Sequence, residues 1–345
     1  MKLRNIGQAK WWAQGALLSF RSHAVILLYH RVVELPSDAQ LLCVSPKHFA
    51  EHLEHLGRHC RVMSLRELVR TLSEAKLPKR AVVVTFDDGY ADNLRDAKPL
   101  LERYNIPATV FVTTGYLGRE FWWDELDRLL LQPGTLPESL HLTINGRVYH
   151  RDLGEAAHYS EEDFERHRRW NVLQKGNPSP RQDLYRSLCE VLRPLPEGSR
   201  RKALDELLTW ARGQPVPRRT HVVLSPDEVV RLAQGGLVEV GAHTVTHSVL
   251  STLQAAGQRD EILGSKARLQ EILGQPVTSF SYPYGARSDY TTETVAIVRE
   301  GGFTCACSAF AAVVWQGSDP FRLPRFVVRD WDGDEFGRRL SVWLR

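Results

Sequence analysis

The sequence lacks several features that would assign a class of protein at once. It holds only five cysteines, an odd number, which disfavours a disulfide-stapled secreted domain and fits a reducing compartment. Its net charge of +4 is too small an excess to indicate a nucleic-acid-binding protein. No internal repeat or low-complexity tract is present. What remains is an ordinary globular composition, 43% hydrophobic and 25% charged, in a chain of 345 residues that can bury a full core.

The sequence also has no apolar run long enough to span a membrane. The apolar patch at 11–20 is short, and Arg21 follows it without a small-residue cleavage site, so we expect no signal peptide. We predict an N-terminal helix over 1–23 that either docks on the protein's own core or lies on the inner membrane as a peripheral contact. The protein is therefore expected in the cytoplasm, with the membrane contact left open.

Short apolar, β-branched segments alternate with helical patterns along most of the chain, which is typical of a parallel α/β architecture. Seven candidate strands favour a barrel over an open sheet, although their spacing alone does not close it. The candidate strands are 24–30, 81–87, 108–114, 237–243, 277–282, 303–308 and 325–328. The candidate helices between them are 64–74, 91–104, 226–234, 259–273 and 291–300.

The alternation stops in the middle of the chain. Residues 140–150 indicate a hairpin with an Asn145-Gly146 turn, and helical patterns follow at 161–170, 181–192 and 199–211. We therefore predict a mainly helical insertion over 122–217, which divides a barrel into a first part at 24–121 and a second part at 218–345.

The sharpest local signal is the run TFDDGY at 85–90, directly after an apolar strand. Two adjacent carboxylates at a strand end are costly to bury unless a cation or hydrogen-bond donors offset their repulsion. A metal ion would do so, and it would leave one carboxylate as a ligand and its neighbour free as a base. Taken alone, Asp87-Asp88-Gly89 is equally consistent with a turn.

A second signal, His243 and His247, follows another apolar strand. On one turn of a helix, two imidazoles four residues apart face the same way and can bind one borderline metal such as zinc, with Asp88 as the oxygen ligand. This ligand set leaves a position open for water, as catalytic metal sites require. We therefore predict that Asp88, His243 and His247 hold a divalent metal, with zinc favoured.

A third signal, Tyr282-Pro283-Tyr284-Gly285, ends a further candidate strand. A rigid proline followed by an aromatic residue and glycine can aim the backbone N–H of Tyr284 at the metal, where it would stabilise an oxyanion. The same residues would also suit a turn with a core aromatic.

Several aromatic residues near these motifs are candidate substrate contacts, because aromatic rings stack on sugar rings. Two of them, Trp122 and Trp123, open the insertion and would equally suit an anchor in the core. The full set of predicted substrate-binding residues is Tyr282, Pro283, Trp122, Trp123 and Trp331.

The three motifs, in this order, resemble those of the NodB-homology polysaccharide deacetylases, carbohydrate esterase family 4. The resemblance covers roughly 24–121 and 218–331 and implies a distorted (β/α)7 barrel with its site at the C-terminal ends of the strands. It also implies that Asp87 is the general base that activates the attacking water, and that the Tyr284 N–H belongs to the oxyanion hole. The metal ligands it implies are Asp88, His243 and His247.

The sequence departs from the family at two positions. Many members carry an arginine that orients the base where this chain has Ser281. We take Arg325 as its replacement, with Arg329 beside Asp330 and Trp331 as the alternative.

Many members also place the general acid on a C-terminal histidine, and no histidine follows His247. The run Tyr29-His30-Arg31-Val32 resembles the N-terminal motif of a permuted branch of the family, which includes the poly-N-acetylglucosamine deacetylases. Because the first and last strands of a barrel are neighbours, His30 can occupy the same space. We predict that His30 protonates the leaving amine, with a structural role as the alternative.

The expected activity is removal of N-acetyl groups from an amino sugar in a polysaccharide, glycolipid or glycoside intermediate. An intracellular sugar intermediate is favoured over a mature extracellular polymer, and the predicted insertion is expected to restrict which substrates enter. An O-acetyl sugar esterase and a catalytically silent sugar-binding protein are the two alternatives. A carbohydrate is the expected partner, and no nucleic acid is.

Overall fold

The computed structural model describes residues 22–144 and 146–345. The predicted N-terminal helix at 1–23, and with it the membrane contact, falls outside the described residues except at its end, where His23 begins the first strand. None of the helices in the described ranges is both long enough and apolar enough to cross a membrane.

The fold is a mixed α/β architecture built around one curled sheet. Each of the seven predicted strands is present, with ends that differ by a few residues. The strands are β1 (His23–Tyr29), β2 (Arg31–Val32), β3 (Cys43–Val44), β4 (Arg61–Val62), β5 (Ala81–Phe86), β6 (Ala108–Val112), β7 (Gly134–Thr135), β8 (Ser139–Ile144), β9 (Arg147–Asp152), β10 (His158–Tyr159), β11 (Val238–Ala242), β12 (Ser279–Ser281), β13 (Cys305–Cys307), β14 (Val314–Trp315) and β15 (Phe326–Val327).

Seven strands run parallel in the order β13-β12-β11-β6-β5-β1-β15, and they are the seven that the sequence predicts. All six residues of β5 are buried, as expected for a parallel strand covered on both faces. Near the ends of the series, Cys307 and Leu323 form an isolated bridge where a barrel would have a full ladder. The sheet is therefore a distorted, incompletely closed barrel, and the C-terminal ends of its strands meet at one rim.

The helices cover the outside of this sheet, and the predicted N-caps are present. The side chain of Ser64 accepts a hydrogen bond from the N–H of Glu67, and Ser225 forms a capping box with Glu228. The helices are α1 (Pro46–His59), α2 (Leu65–Ser73), α3 (Lys98–Tyr104), α4 (Trp122–Leu130), α5 (Glu161–His167), α6 (Pro180–Leu192), α7 (Glu197–Trp210), α8 (Pro226–Ala233), α9 (Ala255–Leu273), α10 (Thr292–Glu300) and α11 (Gly333–Trp343).

The sequence did not predict α1, α4 or α11, and the helix predicted at 91–104 is divided. A π-helical turn at Asn93–Ala97 precedes α3. Three short 3-10 turns complete the set, at Thr114–Tyr116, Gly154–Ala157 and Leu250–Thr252.

The segment 122–217 contains the predicted hairpin and the three predicted helices. Strands β8 and β9 pair antiparallel, with Ile144 opposite Arg147, which confirms the predicted hairpin; Asn145 of the predicted turn lies outside the described residues. Leu184 and Leu188 of α6 belong to the same core cluster as Val84 and Val110 of the sheet. The segment therefore packs on the barrel through apolar side chains, while the proposed domain boundaries remain predictions.

Candidate active site

The floor of the site lies where neighbouring parallel strands end, and we define it as His30, Asp87, Asp88, His243 and His247. Strand β5 ends at Phe86, β11 ends at Ala242 and β1 ends at Tyr29, so each floor residue follows a strand of the sheet directly or within a few residues. Adjacent parallel strands bring these ends together at one edge, where ligands commonly bind in α/β folds.

A tight turn after β5 aims the two carboxylates in different directions. Asp88 and Gly89 both have left-handed backbones, with φ of 74° and 78°. A Cβ atom at Gly89 would lie 3.0 Å from a Val112 side-chain carbon, so the turn requires glycine for space as well as conformation. The turn separates Asp87, which faces Arg325, from Asp88, which faces the histidines.

The three predicted metal ligands converge. Oδ1 of Asp88 lies 3.6 Å from Nε2 of His243 and 3.3 Å from Nε2 of His247, and all three side chains are buried. Nδ1 of His243 lies 2.8 Å from the carbonyl oxygen of Ser281, an acceptor that places the proton on Nδ1 and leaves the Nε2 lone pair free. Two imidazole nitrogens and one carboxylate within 4.8 Å of one another fit a divalent metal such as zinc.

The predicted helical turn between the two histidines is wrong. Residues 243–247 form a loop, in which Thr244 and His247 adopt left-handed backbones with φ of 62° and 54°. The Thr244 hydroxyl accepts a hydrogen bond from the His247 N–H at 3.0 Å and fixes the loop. The imidazoles therefore meet through two reversals of the backbone, which spacing alone does not distinguish from a helix.

The pKa shifts of Asp88 and His247 suit a bound cation. Burial would raise the pKa of Asp88, but the adjacent imidazoles of His243 and His247 outweigh it and hold that pKa well below its ordinary value. Burial would lower the pKa of His243, but the charges of Asp87 and Asp88 outweigh it and raise that pKa. Burial lowers the pKa of His247 to about 4, so this imidazole is neutral near pH 7. An ionised carboxylate and a neutral imidazole are the states that bind metal.

Aromatic rings hold His247 in place. The rings of Phe121, Trp123 and Tyr284 meet its imidazole near edge-on, with centroids 5.7, 5.0 and 4.7 Å away. Its Nδ1 has no hydrogen-bond partner within the described ranges. The orientation of this ligand is therefore set by packing, in contrast to the hydrogen bond that fixes His243.

A buried chain of hydrogen bonds fixes Trp123 in turn. Its indole N–H donates to the Tyr90 hydroxyl at 2.9 Å, and that hydroxyl donates to Oδ2 of Asp124 at 2.7 Å. Burial raises the pKa of Asp124 to about 7, although Arg31 and Arg218 oppose the shift. The sequence did not predict this chain of hydrogen bonds, although Asp124 is expected from the sequence, with Trp122 and Trp123, to lie near the mouth of the barrel and restrict the substrate.

The predicted base, Asp87, forms a bidentate salt bridge with Arg325. The guanidinium donates from Nη1 to Oδ1 at 2.7 Å and from Nη2 to Oδ2 at 2.6 Å, and both residues are buried. Burial would raise the pKa of Asp87, but the charge of Arg325 outweighs it and the pKa lies below its ordinary value. Ser281, at the position where relatives carry arginine, donates to Asp87 at 3.1 Å and accepts from Arg325 at 2.8 Å. The serine and Arg325 thus contact the base together.

Arg329, the alternative to Arg325, lies elsewhere. Its guanidinium donates to the carbonyl of Leu41 and its side chain lines the cavity described below. Asp330 accepts hydrogen bonds from Ser45 and His48. Neither contact reaches Asp87.

His30 belongs to the floor, and Tyr284 lines the same cavity. Tyr29 and Phe86 are paired across β1 and β5, so His30 and Asp87 are the next residues of adjacent strands. Burial lowers the pKa of His30, although the charges of Asp88 and Asp87 oppose the shift. Tyr284 has φ of 61°, and its N–H makes no hydrogen bond with any described residue. It is therefore free to serve a ligand.

Three of the predicted substrate contacts lie outside the lining of the cavity described below. Tyr282 is fully buried, stacks on Tyr290 at 4.0 Å and donates its hydroxyl to the Phe321 carbonyl, so it is a core residue. Pro283 does not line the cavity. Trp331 packs near Trp343 of helix α11 and does not line the cavity.

A cavity of about 570 Å³ opens above the floor. Trp122 and Trp123 line it, and both are also mostly buried, so the two roles weighed for them are compatible. We call a set of ten further lining residues the wall. The wall comprises Gln40, Leu42, Trp122, Trp123, Val172, Arg186, Cys189, Glu190, Arg193 and Arg329.

Comparison with known families agrees with this arrangement. A family model described as polysaccharide deacetylase matches residues 74–135 and 209–306. The matched segments carry Asp87, Asp88, His243, His247 and Tyr284, and the gap between them lies within the predicted insertion. The two matched segments, which together make up a little less than half of the chain, are thus similar to a polysaccharide deacetylase domain.

Its relatives bear related names. A Bacillus subtilis (strain 168) protein, YxkH, named as a candidate polysaccharide deacetylase, is 32% identical over 138 residues, which are 38% of this chain and 48% of that protein. A poly-beta-1,6-N-acetyl-D-glucosamine N-deacetylase of Staphylococcus aureus is 36% identical over 78 residues, 22% of this chain and 27% of the relative. The chain thus matches about half or less of the length of these curated relatives.

Solved structures share the fold along nearly the whole chain. The deacetylase PplD of Streptococcus pyogenes aligns with a TM-score of 0.57 and 18% identity, covering 94% of this chain and 99% of that one. IcaB from Ammonifex degensii aligns with a TM-score of 0.56 and 20% identity, covering 94% and 97%. At these identities the likeness establishes the fold alone.

Proposed function

We propose that this protein is a metal-dependent hydrolase that removes N-acetyl groups from an amino sugar in a polysaccharide, glycolipid or glycoside intermediate. The observation that carries the proposal is the ligand cluster Asp88, His243 and His247 beside a separate, arginine-held carboxylate, Asp87, at the bottom of one cavity. The names of the relatives support the choice of an N-acetylated sugar.

The cluster would hold a divalent metal, which when bound supplies positive charge to polarise the amide carbonyl and to make water more acidic. Asp87 accepts a proton from the attacking water, and Arg325 keeps that carboxylate ionised and oriented. The Tyr284 N–H donates to the oxygen that becomes negative as water adds to the carbonyl carbon. His30 delivers a proton to the nitrogen as the C–N bond breaks, which releases acetate and a free amine.

Before substrate binds, His30 is neutral, because its pKa is lowered. It must therefore gain a proton during the reaction before it can deliver one. Burial lowers the pKa of His30, whereas the charges of Asp88 and Asp87 raise it and so favour its protonated form during the reaction. His30 is therefore assigned to shuttle the proton that Asp87 takes from water.

We also propose a cytoplasmic location. The five cysteines of the chain all lie in the described ranges and all are free thiols, as is usual in a reducing compartment. Cell fractionation with an antibody to the native protein tests this proposal, and recovery in the extracellular medium would contradict it.

The decisive experiment for the activity is acetate release from matched N-acetyl and O-acetyl amino sugars, with zinc-loaded protein and after chelation. Release from the N-acetyl compounds that chelation abolishes is the expected result. Release from the O-acetyl compounds alone would make the protein an esterase. Stoichiometric metal without any release would instead indicate a silent sugar-binding protein.

A further inference from the structure

The charged residues of the wall are mostly basic. Outside the floor, the cavity is lined by three arginines, Arg186, Arg193 and Arg329, and by one acid, Glu190. Arg193 is neutralised, because its guanidinium lies 2.8 Å from Oδ1 of Asp289. The other two arginines are held in a different way.

Main-chain carbonyls, and no carboxylates, hold Arg186 and Arg329. Nη2 of Arg186 donates to the Gln174 carbonyl at 2.8 Å, and Nη1 of Arg329 donates to the Leu41 carbonyl. Neither guanidinium lies within 4.0 Å of a carboxylate oxygen of the described residues. Nε of Arg186 is buried and has no partner in the same ranges. Both side chains are thus fixed in place while their charge stays uncompensated at contact distance.

The acid that acts on Arg329 from farther away is Asp38. Its two carboxylate oxygens already accept hydrogen bonds from the N–H groups of Leu42 and Cys43, at 2.9 and 2.8 Å. Asp38 therefore holds the 38–43 turn and leaves the guanidinium of Arg329 available to a ligand.

Arg329 and the helix that carries Arg186 both contact one part of the wall, the segment 39–42. Arg329 contacts this segment at Leu41. The helix α6, which carries Arg186, contacts it at Gln40, whose Nε2 donates to the Tyr185 hydroxyl at 2.7 Å. Gln40, Leu42 and both arginines line the same cavity.

A guanidinium offers paired N–H donors that match phosphate oxygens, and in a partly enclosed cavity its charge is screened less than in water. A cavity of about 570 Å³ is of the size that holds a small ligand. We infer that the natural substrate is an anionic sugar, in which a phosphate group attached to the N-acetylated sugar binds between Arg186 and Arg329. This inference rests on the proposed deacetylase function and narrows its substrate to phosphorylated sugar intermediates.

The first test uses the wild-type, metal-loaded protein. Acetate release is measured from the methyl glycoside of N-acetylglucosamine and from N-acetylglucosamine 1-phosphate, at low and high ionic strength. We expect kcat/KM to be about ten- to a hundredfold higher for the phosphate, mainly through KM, and expect the preference to shrink as salt rises. Equal kcat/KM for the two compounds, or a preference for the neutral one, would overturn the inference.

Two further substrates distinguish the sources of the phosphate. A nucleoside diphosphate N-acetylglucosamine and a short-chain prenyl diphosphate N-acetylglucosamine present the same sugar and charge on different carriers. A preference for either over the neutral glycoside supports the inference and identifies the carrier. Rejection of all three phosphorylated compounds, with turnover of the neutral one, contradicts it.

Variants test the assigned residues. Arg186→Gln and Arg329→Gln should each reduce the ratio of kcat/KM for the phosphate to kcat/KM for the neutral glycoside about tenfold. Glu190→Gln removes the opposite charge from the same wall and should raise the preference. Arg103→Gln, on the outer helix α3, is the control for loss of one positive charge elsewhere.

The proposed activity and the phosphate subsite are contradicted by different results. If no N-acetylated compound releases acetate, the proposed function fails. If the neutral glycoside is deacetylated and the arginine variants keep the wild-type ratio of kcat/KM values, only the phosphate subsite fails. Arg329→Lys, which keeps the charge, serves if Arg329→Gln does not fold, and it should retain most of the preference.

Discussion

The floor and the wall of the cavity differ in whether their charged side chains contact a partner of opposite charge. On the floor, Asp87 is paired with Arg325, and Asp88 lies against the imidazoles of His243 and His247. On the wall, Arg186 and Arg329 rest on main-chain carbonyls and keep uncompensated charge. The floor residues are therefore positioned for one reaction. The arginines of the wall remain available to bind the part of the substrate that carries the N-acetyl group.

The difference teaches which changes should alter chemistry and which should alter selectivity. Floor substitutions should lower kcat for every substrate, because they remove groups that act on the reacting atoms. Wall substitutions should act mainly on KM and differ from one substrate to another.

His243→Ala should have the largest effect. Loss of one of three ligands should abolish stoichiometric metal binding and reduce acetate release below detection with every substrate. Metal content by mass spectrometry under native conditions and acetate release check this together. Full activity with retained metal would show that the cluster is not the metal site.

Asp87→Asn should lower kcat by about 10²- to 10⁴-fold, because the amide cannot accept the proton from water. Metal binding should remain, since Asp88 and both histidines are intact. Comparison with His243→Ala separates a base from a ligand. Loss of metal in Asp87→Asn would assign this carboxylate to the ligand set instead.

Arg325→Lys should have an intermediate effect. Lysine keeps the charge but cannot reproduce the two parallel hydrogen bonds to Asp87 or the bonds to Ser308 and Ser281. We expect kcat to fall about ten- to a hundredfold and the free energy of unfolding to fall by about 3 kcal/mol. Denaturant unfolding and steady-state kinetics measure the two effects. Unchanged kcat in a folded variant would mean that Asp87 needs no orienting partner.

Gln40→Ala should have the smallest effect. It removes the hydrogen bond between the 39–42 segment and Tyr185, so the wall loosens while the floor keeps its contacts. KM should rise about two- to fivefold with kcat unchanged. Gln254→Ala, at an exposed helix N-cap away from the cavity, is the control. A drop in kcat comparable to that of Arg325→Lys would erase the distinction between floor and wall.

The residues of the floor could be predicted from local sequence patterns. Each motif follows an apolar, strand-forming segment, and parallel strands place their C-terminal ends at one edge whatever the details of packing. Asp87, Asp88, His243 and His247 could therefore be brought together from local patterns and from the family resemblance. The seven parallel strands and the hairpin could be predicted in the same way, since periodicity and turn residues are local properties.

The remaining contacts of the site depend on how distant segments pack, and they could not be predicted from the sequence. Arg325 lies 238 positions from Asp87, and Arg329 was an equal candidate in sequence, because a run of arginines does not reveal which one points inward. The loop geometry of His243 and His247 depends on left-handed residues that their spacing does not encode. Tyr282 entered the core and Arg186 entered the cavity through the packing of distant segments. Burial and charge compensation are properties of three-dimensional neighbours, and they distinguish residues that look alike along the chain.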